Sequence, residues 1–416
     1  MRQSSRHSPR RRHVLLIGGI GGQSHELTKA TALGLRHSMV QVPRWASEEQ
    51  AARTSRYAVL DYRDPGRLLP LVRDWHAADP FDAVLSFTEY GLEPASRVAV
   101  DLGIPGENLD AVLATRDKTR TRALLDRHGL SPVRHRVCAT EADAAAFLAG
   151  LAGQPMVLKP PSGGLSEGVY VVESARQLTE RWAWTTAVAG PEPILAEEFL
   201  SGPEYSVESM SRHGTHEIVM ITEKLTTGLP GFVELGHQGP ARLGPGDRTA
   251  VEALITEFLG LIGQRTGPVH SEVRLTPAGP RLIEAQTRVG GDQIWEMCHL
   301  VSGADQMTET MCALLNMPDP PRAPQAGAAA VRFFSYENVR VRHVEGVADA
   351  GRAPGAIRVE CTLRPGQELG PLLSSDSRQG YVLCTGATTE EAVTRAEAAR
   401  DLVRVDRIPL RAEPTR

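Results

Sequence analysis

Residues 269–286 hold the pattern that most limits what this chain can fold into. Two runs that alternate apolar and polar residues, Val269 to Leu275 and Arg281 to Gln286, flank Thr276-Pro277-Ala278-Gly279-Pro280. That middle stretch is turn chemistry, so the segment from Val269 to Gln286 is predicted to be a β-hairpin. Side chains alternate with period 2 along a strand. His270, Glu272 and Arg274 therefore share one face, and Leu282, Glu284, Gln286 and Arg288 share one on the return strand. Opposed across the pair, Glu272 and Glu284 offer two carboxylates to one hard cation. Mg²⁺ takes such oxygen ligands and keeps phosphate oxygens and waters in its remaining positions. Two carboxylates this close would repel each other without a cation. A solvated charged face would explain the Glu and Arg residues. It would not explain the apolar surroundings or Val289-Gly290-Gly291.

Elsewhere the chain alternates strands and helices. Val14-Leu15-Leu16-Ile17 reads as a buried strand, Gly18 to Gly22 as a turn, and Ser24 to Leu35 as a helix. Ala83-Val84-Leu85-Ser86-Phe87 is a second strand, followed by a helix from Leu92 to Leu102. This β–α order implies a parallel sheet, with ligands at its carboxyl edge. Gly19-Ile20-Gly21 begins a dinucleotide fingerprint, but Ser24 stands where the last Gly belongs, and no acid lies about 20 residues on. A dinucleotide site is therefore disfavoured. Helices are expected at 116–129, 141–151, 247–266, 304–315 and 389–403, with strands and turns over 156–221. The stretch Pro318-Asp319-Pro320-Pro321-Arg322-Ala323-Pro324 reads as a boundary.

Two more segments carry chemistry. A short apolar strand, Met156-Val157-Leu158, ends in Lys159 and runs into Pro160-Pro161-Ser162-Gly163-Gly164-Leu165-Ser166-Glu167-Gly168. Backbone N–H groups in such a loop can wrap phosphate oxygens, and the lysine adds a point charge. Further on, Ile194-Leu195-Ala196 leads into Glu197-Glu198-Phe199-Leu200 and Glu204. Backbone groups there could read a base while a carboxylate holds ribose hydroxyls. Taken singly, each segment is as well explained by a glycine hairpin or an exposed acidic turn.

With 416 residues the chain is too long for one ordinary core, and two or three domains are expected. Its 41% apolar and 23% charged content suit a globular protein, and a net charge of −4 argues against a nucleic-acid partner. Residues 1–12 read as a basic, disordered tail. The apolar run that follows is too short for a signal peptide, and nothing approaches the roughly 20 apolar residues of a membrane helix. Five scattered cysteines without a CxxC pair suggest reduced thiols and a cytoplasmic protein.

In this order and spacing, the segments resemble the ATP-grasp superfamily over about residues 13–405. The residues that carry the resemblance are Arg116-Asp117-Lys118, Val157-Leu158-Lys159-Pro160, Glu197-Glu198-Phe199-Leu200 and Glu284-Ala285-Gln286-Thr287-Arg288-Val289-Gly290-Gly291. Within the superfamily the chain looks most like the bacilysin-synthetase type of amino-acid ligase. The residues for that are Glu223 to Gly228, Phe232 to Ala241, Thr88-Glu89-Tyr90 and Gly380 to Thr388. The resemblance implies an α/β ATP-grasp fold with four parts: the tail, an N-terminal parallel-sheet domain (13–115), an ATP-grasp domain (116–325) with a mobile lid near 150–220, and a C-terminal α+β domain (326–410).

It also implies site residues. Lys118, Lys159 and the loop Ser162, Gly163, Gly164 and Ser166 would hold ATP phosphates. Glu198 and Leu200 would pair with adenine, with Glu197 beside them and Glu204 near the ribose. Glu272, Glu284 and Gln286 would hold Mg²⁺, or Mn²⁺ in its place. The family usually has Asn where Gln286 stands. Arg288, Lys159 and His237 would be catalytic. Glu89, His237, Arg288, Gly290, Gly291 and Trp295 would meet the substrates. The implied activity is ligation of a carboxylate to an amine, both amino acids, through an acyl phosphate, by a homodimer. Two other readings are a ligase or carboxylase acting on bicarbonate or a nucleotide-precursor amine, and a non-catalytic nucleotide-binding module.

Overall fold

In the computed structural model, residues 10–19, 24–164, 166–228 and 232–410 are described. Most of the proposed tail, three residues of the first glycine turn and Leu165 lie outside them. Four short strands open the chain: β1 (His13–Ile17), β2 (Arg36–Gln41), β3 (Tyr57–Val59) and β4 (Ala83–Leu85). They form a parallel sheet in the order β3-β2-β1-β4, as the β–α alternation predicts. Helices α1 (His25–Ala32), α2 (Glu48–Arg53) and α3 (Pro65–Ala78) connect the strands, and α4 (Leu92–Leu102) follows β4. β1 is buried throughout: Leu15 and Ile17 pack with Val72 and Val98, and Val14 and Leu16 face the other way.

A helix not expected from the sequence, α5 (Leu109–Arg116), precedes the one expected over 116–129, which is α6 (Lys118–Arg127). Asp117 ends the first in an extended conformation and caps the second, accepting from the Thr119 and Arg120 amides. A carboxylate acceptor at that position satisfies N–H groups a helix start would otherwise leave unpaired, and it sets Lys118 in the first turn.

A four-stranded sheet follows, in the order β5-β8-β6-β7. Its strands are β5 (His135–Cys138), β6 (Met156–Lys159), β7 (Tyr170–Val172) and β8 (Ile194–Glu198), backed by α7 (Glu141–Gly150) and α8 (Ala175–Ala189). Helix α8 corrects the expectation of strands and turns alone over 156–221. On β6, Met156 and Leu158 enter the core under these helices while Val157 and Lys159 point to the opposite side, the period-2 rule at work.

The central sheet has eight strands, in the order β13-β12-β9-β10-β11-β14-β18-β16. They are β9 (Glu204–Arg212), β10 (Thr215–Thr226), β11 (Glu234–Gly239), β12 (Gly267–Thr276), β13 (Gly279–Gln286), β14 (Ala328–Phe333), β16 (Ala356–Cys361) and β18 (Gly380–Gly386). Strands before and after the Pro-rich stretch thus share one sheet. A small sheet pairs β15 (Val339–Glu345) with β17 (Glu368–Leu369) and β19 (Arg404–Pro409). Helix α9 (Pro245–Leu261) covers the core face of the central sheet, where Val251, Ile255 and Phe258 meet Val207, Val269 and Val273. Of the remaining helices, α10 (Ile294–Ser302) and α11 (Gln306–Leu314) lie between the central and N-terminal sheets. Both α12 (Val347–Ala350) and α13 (Thr389–Leu402) pack on the C-terminal strands.

The predicted hairpin is β12–β13, and Glu272 pairs directly with Glu284. The register then shifts, so that Val273 pairs with Leu282 and Ile283 is the extra residue. An extra residue in one strand inverts the side-chain alternation beyond it. Leu282 therefore lies in the hydrophobic core, on the face opposite Glu284, and not on the shared face that strict alternation predicts. The five cysteines are free thiols, four of them buried. Among the described residues no helix is long and apolar enough to cross a membrane.

Candidate active site

One cleft runs between the four-stranded sheet, the exposed face of the central sheet and the loop after β4. The predicted site residues that line it are Glu89, Lys118, Lys159, Ser162, Gly163, Gly164, Ser166, Glu197, Glu198, Leu200, Glu204, His237, Glu272, Glu284, Gln286, Arg288 and Gly291. Two others do not. Trp295 stacks near His25 and under the Lys29 ammonium. Gly290 lies behind the wall, where a Cβ would meet the Glu208 carboxylate at about 3 Å. Trp295, a helical residue just past the Gly290-Gly291 turn, is carried toward α1.

At the end formed by the four-stranded sheet, one buried carboxylate meets two cations. Glu197 accepts from Lys159 Nζ at 2.6 Å and from Arg122 Nε at 2.6 Å. Burial pushes its carboxyl up, but the two cations together outweigh that and hold it at about 2. The Lys118 amide donates to the Pro161 carbonyl (2.8 Å) and its ammonium to the Gly163 carbonyl (3.0 Å), tying α6 to the glycine loop. Gly163 has φ +114, a conformation that excludes most side chains. Phe199 and Phe232 stack at 6.3 Å across the cleft, with Arg274 over both rings.

On the hairpin side the balance reverses. A single buried ammonium, Lys224 on β10, serves Glu204 (2.8 Å), Glu272 (2.7 Å) and Glu234 (3.3 Å). Burial pulls Lys224 down, but the three carboxylates raise it well above its ordinary value. Lys118 pairs with Glu284 at 3.1 Å. The repulsion expected between Glu272 and Glu284 is thus relieved here by one lysine on each, and both carboxyls are lowered despite burial. His270 donates to Glu208 at 2.5 Å and stands 3.6 Å from Glu272. Burial lowers its pKa, yet Glu208 and Glu272 raise it to about 9. Lys224 was missed as a site residue, and so was Glu208, which supports the site from behind the cleft wall. Each sits in an alternating strand, where the pattern alone reads as a solvated face.

Beyond the hairpin, Arg288 Nε pairs with Glu89 at 3.0 Å, joining the hairpin's exit to the N-terminal sheet. His237 lies 3.2 Å from Asp292, and Asp292 is bound bidentately by Arg378 (2.8 and 2.6 Å). Ser375 donates to the Glu234 carboxylate. Nothing local in the sequence marks Ser375 or Arg378, which arrive from a segment more than 80 residues downstream.

The donors suit a hard divalent cation. The Gln286 amide N–H donates to Glu284 (2.8 Å), while its carbonyl oxygen is buried without a partner among the described residues. Among the described residues, no group of three or more His, Cys, Asp or Glu forms a metal cage. Two carboxylates and one amide oxygen fit an ion that completes its shell with phosphate oxygens.

Comparison with known proteins agrees with this geometry. Residues 27–106 match the ATP-grasp N-terminal domain family, 152–296 the ATP-grasp domain family, and 332–406 the L-amino acid ligase C-terminal domain 2 family. The alanine–anticapsin ligase of Bacillus subtilis is 29% identical over 243 residues, 52% of this chain and 49% of that protein. Human carnosine synthase 1 is 26% identical over 343 residues, 76% of this chain and 40% of that protein. The chain therefore spans less than half the length of either relative. The crystal structure of an L-amino acid ligase from Bacillus licheniformis superposes with a TM-score of 0.83 at 22% identity, covering 96% of this chain and 99% of that one, a likeness of fold. With its two ATP-grasp matches and the C-terminal match in that order around this cleft, the chain belongs to the ATP-grasp superfamily.

Proposed function

We propose that this protein uses ATP to join an amino-acid carboxylate to the amine of a second amino acid, releasing ADP and phosphate. The observation that carries the reading is the cleft's polarity: a cation surplus around Glu197, and three carboxylates around one lysine at Glu272. Phosphates suit the first environment and a divalent cation the second.

Lys118 and Lys159 would offset charge on the phosphates. The Glu198 amide N–H is spent on the Arg134 carbonyl (2.9 Å), so adenine recognition would fall to the Glu198 carbonyl and the Leu200 amide. Glu272, Glu284 and Gln286 would hold Mg²⁺ or Mn²⁺, which when bound neutralises phosphate oxygens. A carboxylate resists attack because negative charge would build on an anion. Its oxygen therefore takes the terminal phosphoryl group of ATP, giving an acyl phosphate and ADP. Arg288 would leave Glu89 to hold the carboxylate oxygens and stay with the tetrahedral intermediate as charge grows there. The amine then attacks the carbonyl carbon, phosphate departs, and the amine loses its proton. His237, oriented by Asp292, is the proposed acceptor. A homodimer in the cytoplasm belongs to the same proposal.

Phosphate release from ATP, screened over pairs of amino acids, tests the reading. Release that requires both amino acids, with ADP as the nucleotide product, is the expected result. AMP and pyrophosphate would sink it.

A further inference from the structure

The turn that follows Arg288 is held in an unusual backbone shape. Asp292 has φ +52 and Gln293 φ +65, two successive non-glycine residues in the left-handed region. Such conformations persist only where the surroundings hold them, and they gather at functional sites. At the near end of this turn, the Gly290 amide donates to the Glu208 carboxylate at 3.2 Å. At the far end, both carboxylate oxygens of Asp292 accept from Arg378.

Arg378 is itself fixed. Its Nε donates to the Ser375 carbonyl (2.8 Å) and one terminal nitrogen to the Glu234 carbonyl (3.3 Å). The guanidinium lies 3.7 Å from the centroid of the Phe333 ring, and its side chain is 9% exposed. Counting the two bonds to Asp292, four bonds run to protein acceptors, out of the five N–H groups a guanidinium carries. Little is left for a ligand. Burial disfavours a charged Asp292, yet Arg378, with His237 after it, holds its carboxyl far below the usual range.

We infer that Arg378 is a positioning residue for ligation: by clamping Asp292 it fixes the turn that aims Arg288 and sets the orientation of His237. The inference rests on the proposed ligase reading. It gives the C-terminal segment a role in the reaction, through a single guanidinium that bridges β11, β14 and the turn before α10. Only a planar, bidentate cation can make this set of bonds, so lysine is a partial substitute.

The experiment compares wild type with R378K, R378Q, D292N and R378Q/D292N, using the best amino-acid pair from the screen. R378Q is expected to lower kcat by about 30-fold, with R378K falling between it and wild type. The KM for ATP stays within about twofold, because the clamp does not touch the phosphate end. Asp292 and Arg378 act as a unit, so the double variant is expected within about threefold of either single variant. It also removes the uncompensated charge that R378Q leaves behind, which guards against a merely unfolded protein. Wild-type kcat in R378Q would overturn the inference. So would additive losses in the double variant, or a rise in the KM for ATP matching the fall in kcat. Backbone amide exchange over 288–293 is read in parallel and does not depend on finding substrates. Faster exchange in R378Q is expected; unchanged exchange refutes the clamp even where the ligase reading stands. A wild type inactive on every pair, with faster exchange in R378Q, refutes the ligase reading and leaves the clamp.

Discussion

The two ends of the cleft treat charge in opposite ways. Around Glu197 two cations share one carboxylate; around Lys224 three carboxylates share one ammonium. Both ends are buried, so in each the charges are costly unless paired. The four-stranded sheet's end is complete as it stands and has positive charge to spare. The hairpin end is short of positive charge: Lys224, Lys118, Arg274 and His270, four cations, face Glu204, Glu208, Glu234, Glu272 and Glu284, five carboxylates. The difference explains how one cleft could accept both a polyphosphate and the cation that travels with it.

The strongest way to break this contrast is at the hairpin. Glu284→Gln is expected to cut turnover by about 10³-fold, since it removes a charge from the proposed cation site, while the near-isosteric side chain leaves the melting temperature little changed. Activity measured against Mg²⁺ concentration, beside a melting curve, checks it. Normal activity at ordinary Mg²⁺ would remove Glu284 from the metal site.

Lys224→Met should strike folding. Removing one partner of a buried ionic cluster costs about 3–5 kcal/mol. The stranded carboxylates would then have folded pKa values above their unfolded ones, so they bind protons more readily when folded. Their penalty therefore shrinks as pH falls, and Lys224→Met should approach wild-type stability more closely at pH ~5 than at pH ~8. Denaturant midpoints at the two pH values decide; an equal loss at both would show that Lys224 does not neutralise the cluster.

The other end is tested through the pH dependence of stability. The Glu197 carboxyl is held at about 2 against an ordinary 4.5. A depressed carboxyl contributes stability that is present above the unfolded pKa and lost as pH falls through the folded one. The stability gap between wild type and Glu197→Gln should accordingly narrow between pH 4.5 and 2, within the range where the wild type stays folded. A gap that stays constant across that range would mean Glu197 is not ionised by its two partners.

Much of the hairpin was legible beforehand. The turn residues and the alternation around Glu272 predicted both the β12–β13 pair and the opposition of Glu272 to Glu284, because strand periodicity is a local property. The bulge at Ile283 was not legible, since strict alternation cannot reveal where a residue is skipped. Helix α8 was missed although its residues favour a helix: Ala175–Ala189 holds four Ala with Arg, Gln, Leu and Glu, and only the Trp182-Ala183-Trp184-Thr185-Thr186 stretch interrupts that signal.

What the amino-acid sequence determined by itself is the set of local elements and the order of the chemistry along them: the lysine at the end of β6, the glycine loop, the acidic segment at Glu197, and the paired glutamates. Each follows from periodicity, turn chemistry or a short motif, all of which act within a few residues. Which charges neutralise which was decided only by the tertiary structure. Lys224 reaches Glu272 across 48 positions, Lys118 reaches Glu284 across more than 160, and Arg378 reaches Asp292 across 86. Coulombic pairing depends on distance in space and on the removal of water, and the eight-stranded sheet sets both when it brings strands from the two halves of the chain side by side.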